Sequence, residues 1–267
     1  MSEHYTQRGY QIFRAALPRD LVSALADAAQ LVPTYRGEIR RQNGMMEVNR
    51  FHTDTSLVAN AAGNAHLSMP PGLDAIHEAM RRLITDKHLW QCLHELDGAE
   101  RYTIHQSILF LSSPNTDLHI DSWAMDTHPP GYAHSVWIPL QDMDRTSGVP
   151  CVIPWPKTKL ITEADLGLSP EPSAKDRYSR YHDALQEKLQ AASPDVATAF
   201  MRRGDVFIWS SLTPHCTMPC RPVVRERLAL QLMVRPAHLL CGRFGVEEGW
   251  QENADRVSDL FSFLRVS

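Results

Sequence analysis

No stretch of this 267-residue chain is apolar for the roughly 18 residues that a membrane-crossing helix needs. The opening "MSEHYTQRGY" has no apolar core of the kind a secretory leader carries, so neither a leader nor a membrane partner is expected. Positive charge is not in surplus: Lys and Arg number 27 against 31 Asp and Glu, for a net charge of -4. A nucleic-acid binder normally shows a basic excess, so that partner class is excluded too. Cysteine is scarce and odd in number, with Cys92, Cys151, Cys216, Cys220 and Cys241 scattered along the chain. They read as reduced thiols of a cytoplasmic protein and not as a disulfide framework. Cys216 and Cys220 follow His215 closely, yet no second cysteine pair completes a structural zinc site. Repeats, low-complexity blocks and Pro/Gly/Ser linkers are likewise missing.

What is present is an ordinary globular composition, 43% hydrophobic and 22% charged, long enough to bury a real core in one large domain or two small ones. The first third has helical periodicity. "PRDLVSALADAAQLV" starts with Asp20 as a cap and places Leu21, Leu25 and Ala28 on one face. "PPGLDAIHEAMRRLITDKHLWQCLHEL" repeats the pattern through Leu73, Ile76, Met80 and Leu83. The stretch between, "YRGEIRRQNGMMEVNRFHTDTSLVANAAGN", is too polar and broken for a core element, and its basic cluster reads as a solvated loop.

From residue 102 the texture changes to short β-type runs: "YTIHQSILFL", "HSVWIPL", "VPCVI", "DVFIWS" and "RLALQLMV". Turn-rich joints such as "SSPNTD", "HPPGY" and "DRTSG" separate several of them. One long interruption, about 156–203, contains "KDRYSRYHDALQEKLQAA", where Tyr178, Tyr181, Leu185 and Leu189 form a helical stripe. Helices first and many short strands after suggest an antiparallel double sheet backed by helices. The inserted helix is read as a packed element, with its flanking loops reserved for the mouth of a pocket.

"LHIDSWAMD", residues 118–126, raises the question of chemistry. On a strand His119 and Asp121 project together while Leu118 and Ile120 point the other way. Such a pair either forms a hydrogen bond or makes two-thirds of a metal site. The best third ligand is His215 in "GDVFIWSSLTPHCTMPC", and "RERLALQLMV" follows with Arg227, Ala229 and Gln231 on one face. Two imidazoles and one carboxylate leave open positions on an ion, the facial triad of non-haem iron(II) oxygenases. An arginine nearby can clamp the distal carboxylate of an oxo acid through two parallel bonds. With the four elements in order, the metal reading displaces the bland one. Arg225 and Arg227 share a face, and Arg227 is preferred because it sits deeper in the apolar run.

At this point the sequence resembles the phytanoyl-CoA dioxygenase-like iron(II)/2-oxoglutarate oxygenases over most of its length. "RGYQIFRAALPRDLVSALADAA" looks like the family's opening strand and helix. "VWIPLQDMDRTSGVPCVIP" resembles its strand, turn and strand, and "RRGDVFIW" leading to "PHCT" its approach to the distal histidine. The resemblance implies His119, Asp121 and His215 as iron ligands and Arg227, followed by Ala229, as the oxoglutarate-binding arginine. It also implies a cosubstrate contact from Thr217 and, from Gln106, a polar contact to the cosubstrate or the substrate. "PWPKTKL" departs from the family's usual Pro-Gly-Ser-His-Lys turn and leaves the metal chemistry untouched. Asp121 stands where related halogenases carry a small residue, so hydroxylation is expected and halogenation is not.

The expected fold is mainly β with N-terminal helices, a double-stranded β-helix (jelly roll, cupin-like), as a single domain over 1–267 with the 156–203 insertion. The expected activity uses Fe(2+), 2-oxoglutarate and O2 to hydroxylate an unactivated carbon of a small soluble metabolite, an amino acid or natural-product intermediate, releasing succinate and CO2. Desaturation and epoxidation are other endings of the same chemistry, and a non-catalytic jelly-roll binding protein is the rival class. Trp123 and Met125 either wall the substrate pocket or pack in the core. His52, His105, His128 and His134 are given no role.

Overall fold

Alternation decides the layering. In the computed structural model, which describes residues 2–41, 44–50, 61–112, 116–144, 147–169, 174–192, 194–198, 200–218 and 226–265, the strand Glu226–Pro236 sends Leu228, Leu230, Leu232 and Val234 into one core. Arg227, Gln231 and Met233 face a cavity on the other side. Its neighbours repeat the division. Val136 and Ile138, and Val206 and Ile208, join the same core, while Trp137 and Trp209 line the cavity.

The large sheet runs Tyr10–Phe13, Val206–Ser210, His134–Pro139, Glu226–Pro236, Tyr102–Ser112, Phe261–Leu264, Ala254–Arg256, with Ala61–Gly63 also paired to Tyr102–Ser112. Its pairings are antiparallel, save for Phe261–Leu264, which runs parallel to Tyr102–Ser112. The helices Arg19–Ala29, Asp74–Ile84 and Lys87–Asp97 cover its outer face and fill the core with Leu25, Met80, Leu83 and Leu93. A smaller sheet, His215–Thr217, Pro150–Val152 and Ala197–Thr198, lies on the cavity side. Two sheets enclosing a cavity, with helices behind, make the expected jelly roll.

One irregularity shifts the pattern. Met233 pairs with Gln106 and Val234 with Ile104, so His105 is an extra residue, a β-bulge in Tyr102–Ser112. Beyond it Ile108 and Phe110 line the cavity while Leu109 and Leu111 enter the core; before it Tyr102 and Ile104 enter the core. The bulge therefore turns both His105 and Gln106 to the inner side.

Local expectations are corrected in several places. Residues 73–97 form two helices, because Asp86 accepts a hydrogen bond from His88 N at 2.9 Å and starts the second one. The cap of Arg19–Ala29 is Pro18 and not Asp20, and its most buried stripe is Val22, Leu25, Ala26 and Ala29. The polar stretch after residue 35 does reach the core: Ile39 is buried, and Ala61–Gly63 extends the large sheet. His52 and Arg225 lie outside the described residues.

Candidate metal centre

His119 and His215 meet through one isolated antiparallel bridge, each backbone N donating to the other's carbonyl at 2.9 Å. Their ring centroids are 4.2 Å apart. Sequence reasoning extends a strand through Asp121, but the strand character ends at His119, and Asp121–Trp123 is a 3-10 turn. Ile120 between them is still extended, φ -120° and ψ 146°, so the two side chains emerge on one side.

The backbone selects the tautomers. His119 Nδ1 is 2.7 Å from the Asp117 carbonyl, and His215 Nδ1 is 2.9 Å from the Thr213 carbonyl. A carbonyl only accepts, so each Nδ1 carries its proton and each Nε2 keeps a lone pair. Those Nε2 atoms sit 3.7 Å and 3.5 Å from the two Asp121 oxygens. Asp121 Oδ2 also accepts from Ser135 Oγ at 2.5 Å and Trp209 Nε1 at 3.2 Å. Oδ1 is thereby the oxygen left to face an ion. Burial pushes the Asp121 carboxyl up, but His215 and His119, with the Ser135 and Trp209 bonds, bring it below the usual carboxylate range. Burial also brings His215 down to about 4. The group thus pairs a carboxylate with a neutral His215, the protonation a divalent metal requires of those two ligands. One donor atom from each residue lies within 4.8 Å of the others, so the donor set fits a single ion.

The triad opens on a cavity of about 400 Å³. Arg227 lies on the same wall, 3% exposed, its guanidinium bonded to the Gly148 carbonyl at 2.6 Å and stacked 4.9 Å from the Phe110 ring. Thr217, buried, and Gln106, half-buried, also face the cavity. Trp123 forms its mouth, stacked on Phe244 at 4.2 Å. Met125 does not line this space; it packs with Ala133 and Met233 and faces a separate cavity of about 330 Å³.

Several residues at the centre escape the sequence reading. Ser135 and Trp209 orient Asp121, although the alternation of "DVFIWS" already sets Trp209 apart from Ile208. The inserted helix, Ala174–Ala192, buries Tyr181, Leu185 and Leu189 as expected of a packed element. Tyr178, in the same stripe, instead lines the metal cavity, and the His182 ring stacks 6.1 Å from His119. The helix itself therefore reaches the site, whereas none of the described residues of its flanking loops lines the cavity.

His105, Cys241 and Glu252 also cluster closely enough to suggest an ion. Their hydrogen bonds argue otherwise. Arg235 Nε donates to His105 Nε2 at 2.7 Å, leaving the proton on Nδ1, which faces Glu252 Oε2 at 3.2 Å. Cys241 Sγ donates to the same oxygen at 2.7 Å. With a buried guanidinium beside it and both imidazole nitrogens engaged, this is a closed polar network and not a cation site.

Comparison with known proteins follows the same lines. A family model described as Phytanoyl-CoA dioxygenase (PhyH) matches residues 5–221. Among solved structures, the chain is similar to the epimerase SnoN in complex with Fe3+, alpha ketoglutarate and nogalamycin RO, at 18% identity and TM-score 0.61 over 98% of this chain and 95% of that one. It is similar to the carbocyclase SnoK from nogalamycin biosynthesis at 18% identity and TM-score 0.62, covering 93% and 89%. It is also similar to EctD from S. alaskensis with 2-oxoglutarate and 5-hydroxyectoine, at 19% identity and TM-score 0.56, covering 94% and 82%. At these identities the likeness is one of fold. No curated protein sequence matches the chain.

Proposed function

The chain belongs to the phytanoyl-CoA dioxygenase family, and on that premise we propose that it is an iron(II)- and 2-oxoglutarate-dependent oxygenase hydroxylating a small, uncharged metabolite. The observation that carries the reading is the convergence of His119, Asp121 and His215 on one cavity that Arg227 also faces. His119 Nε2, His215 Nε2 and Asp121 Oδ1 would hold the iron. Bound there with 2-oxoglutarate and O2, iron(II) supplies the oxidation of a C–H bond as the oxo acid loses CO2 to become succinate.

The protein's own part is positional. Ser135 and Trp209 fix the carboxylate, and the Asp117 and Thr213 carbonyls fix the imidazoles. Arg227, anchored by Gly148 and Phe110, presents its fork to the distal carboxylate of the oxo acid. Thr217 and Gln106 add neutral polar contacts. Phe110, Trp137 and Trp209 keep the walls apolar and exclude water. Trp123 and Tyr178, edge-to-face at 5.4 Å, are the surfaces against which a substrate would rest at the mouth.

Charge narrows the substrate. Among the described residues, Asp121 and Arg227 are the charged side chains apart from histidine on the cavity wall, and both are committed to cofactor and cosubstrate. Neither end of a zwitterionic amino acid finds a free counter-ion, which favours a natural-product intermediate with an apolar or aromatic framework. A CoA thioester fits poorly, since Arg177 beside the mouth is already bridged to Glu163 at 2.7 Å. An epimerase and a carbocyclase among the structural neighbours support keeping desaturation and ring closure as other endings of the reaction.

The same proposal treats 1–267 as one domain with a 156–203 insertion. Among the described residues no helix is long and apolar enough to cross a membrane. Cys92, Cys151, Cys216 and Cys241 are free thiols, which suits a cytoplasmic location.

Anaerobic addition of iron(II) and 2-oxoglutarate should produce the weak visible band of a chelated oxo acid. Aerobic incubation with a panel of neutral ring compounds, amino acids and acyl-CoAs should release succinate in step with a neutral substrate. Retention of the band at full intensity in His215→Ala would remove His215 from the ligand set, and no band in the wild type would sink the reading.

A further inference from the structure

Cys151 and Cys216 face each other across the smaller sheet, at partner positions in the pairing of Pro150–Val152 with His215–Thr217. Two flanking backbone bonds, Ile153 N to the Pro214 carbonyl and Met218 N to the Val149 carbonyl, both 2.8 Å, set the phase of the ladder. Residues 214 and 153, and 218 and 149, are thus hydrogen-bonded pairs, and alternation by two puts 216 and 151 in the same class. Such pairs hold their Cα atoms about 5.5 Å apart, inside the window of about 4.4–6.8 Å that a disulfide spans. The side chains leave the sheet on the same side, and the Cys151 thiol donates to the Val149 carbonyl at 3.9 Å. Both are free. Cys151 is buried, whereas Cys216 is half-buried and lines the metal cavity.

We propose that Cys151 and Cys216 form an oxidation site that consumes a peroxide and closes to a disulfide, distorting the metal centre reversibly. In the first step one sulfur attacks the peroxide O–O bond. An S–O bond forms, the O–O bond breaks, and the thiol proton leaves with the expelled hydroxide as water. In the second step the partner sulfur displaces the hydroxyl of that sulfenic acid. The S–S bond forms, the S–O bond breaks, and the second thiol proton leaves in another water. Two thiols are oxidised and one hydrogen peroxide is reduced.

The coupling to the site is steric. Closure draws the two sulfurs together to about 2.05 Å. Cys216 lies between His215 and Thr217, and Cys151 follows Pro150; all three neighbours line the cavity. The adjustment therefore falls on a proposed iron ligand and on a proposed cosubstrate contact. The thiol chemistry is independent of the iron reading, while its effect on the centre rests on it.

The test uses the full-length protein, first without metal. After exposure to hydrogen peroxide, thiols are counted under denaturing conditions and the peptides mapped. The five thiols should fall by two, with the 151 and 216 peptides joined and separated again by dithiothreitol. Cys151→Ser and Cys216→Ser should each abolish the link. Iron(II) affinity, measured by competition with a chelator, should drop about tenfold or more in the oxidised protein and recover on reduction, whereas peroxide should leave the affinity of Cys151→Ser where it was. Peptides that stay separate, thiols that end as sulfinic acid, or a link to another cysteine would overturn the oxidation site. A Cys151–Cys216 disulfide with unchanged iron affinity would overturn the coupling. If neither form binds iron, the proposed function fails, and the peptide map still decides the oxidation site.

Discussion

Replacing Arg227 separates binding of the oxo acid from everything else the cavity does. The side chain is 3% exposed and held from two directions, by the Gly148 carbonyl at 2.6 Å and the Phe110 ring at 4.9 Å. Little rotamer freedom remains to be lost when a carboxylate arrives. Truncating one partner of a buried, hydrogen-bonded charge pair costs about 2–5 kcal/mol. At about 1.4 kcal/mol per decade that becomes roughly thirty-fold to several thousand-fold. Arg227→Ala should raise the KM for 2-oxoglutarate within that range, while iron(II) affinity stays near the wild-type value because the triad does not touch the guanidinium. Arg227→Lys should recover only a small part, since one ammonium reproduces neither the fork nor the stacking on Phe110. The assay is succinate formation against 2-oxoglutarate concentration, with thermal unfolding to confirm that each variant folds. A KM within threefold of wild type in Arg227→Ala, together with a large defect in Arg225→Ala, would move the clamp two residues upstream.

Ser135→Ala and Trp209→Phe each free Asp121 Oδ2 from a hydrogen bond; iron(II) affinity should fall about 10–100-fold in both, by chelator competition. Tyr178→Ala, at the cavity mouth, should raise the KM for the primary substrate at least several-fold and leave that for 2-oxoglutarate unchanged; the reverse pattern would exclude the inserted helix from substrate binding. Burial, then Arg81 and His77, lower His66 to about 3, so below pH 6.5 the unfolded chain binds a proton that the folded one refuses. Its contribution is complete above that pH and is lost at about 1.4 kcal/mol per pH unit on acidification toward pH 3, so urea titrations of the metal-free protein at pH 7 and 5 should show the loss, and equal midpoints would contradict it. With Asp121 as the proposed carboxylate ligand no place is left for a halide, and chlorinated product formed in chloride buffer would refute the hydroxylase reading.

The layers of the fold were legible because burial of one sheet face imposes a period of two. Leu228, Leu230 and Leu232 against Arg227 and Gln231 show it without a structure. The grouping of the proposed ligands was legible for a related reason: His119 and Asp121 are separated by one extended residue, and chemistry supplied the need for His215. What escaped depends on contacts that no local pattern encodes. The break between Asp74–Ile84 and Lys87–Asp97 turns on a single capping carboxylate inside a continuous amphipathic stripe. Tyr178 belongs to the same stripe as Tyr181 but lies at its edge, and only the docking of the helix decides which ring meets the cavity. Ser135 shares the cavity-facing parity of Trp137, but its bond to Asp121 depends on where the turn Asp121–Trp123 lies against its strand.

The bulge at His105 bears on how this chain tolerates change in length. It is a phase step in an otherwise period-two message: residues before it and residues after it are written in opposite parity, and both are read correctly only because one position is counted twice. A substitution at His105 removes one imidazole from the inner side. Deleting the residue would join Ile104 to Gln106 opposite Val234 and Met233, leaving Tyr102 and Ile104 in the core and Gln106, Ile108 and Phe110 on the cavity, whereas a deletion elsewhere in the strand would turn one side by half a period. The position is therefore the one in this strand where a lost codon leaves both layers in phase, while the same loss a few residues away would exchange the contents of core and cavity on one side.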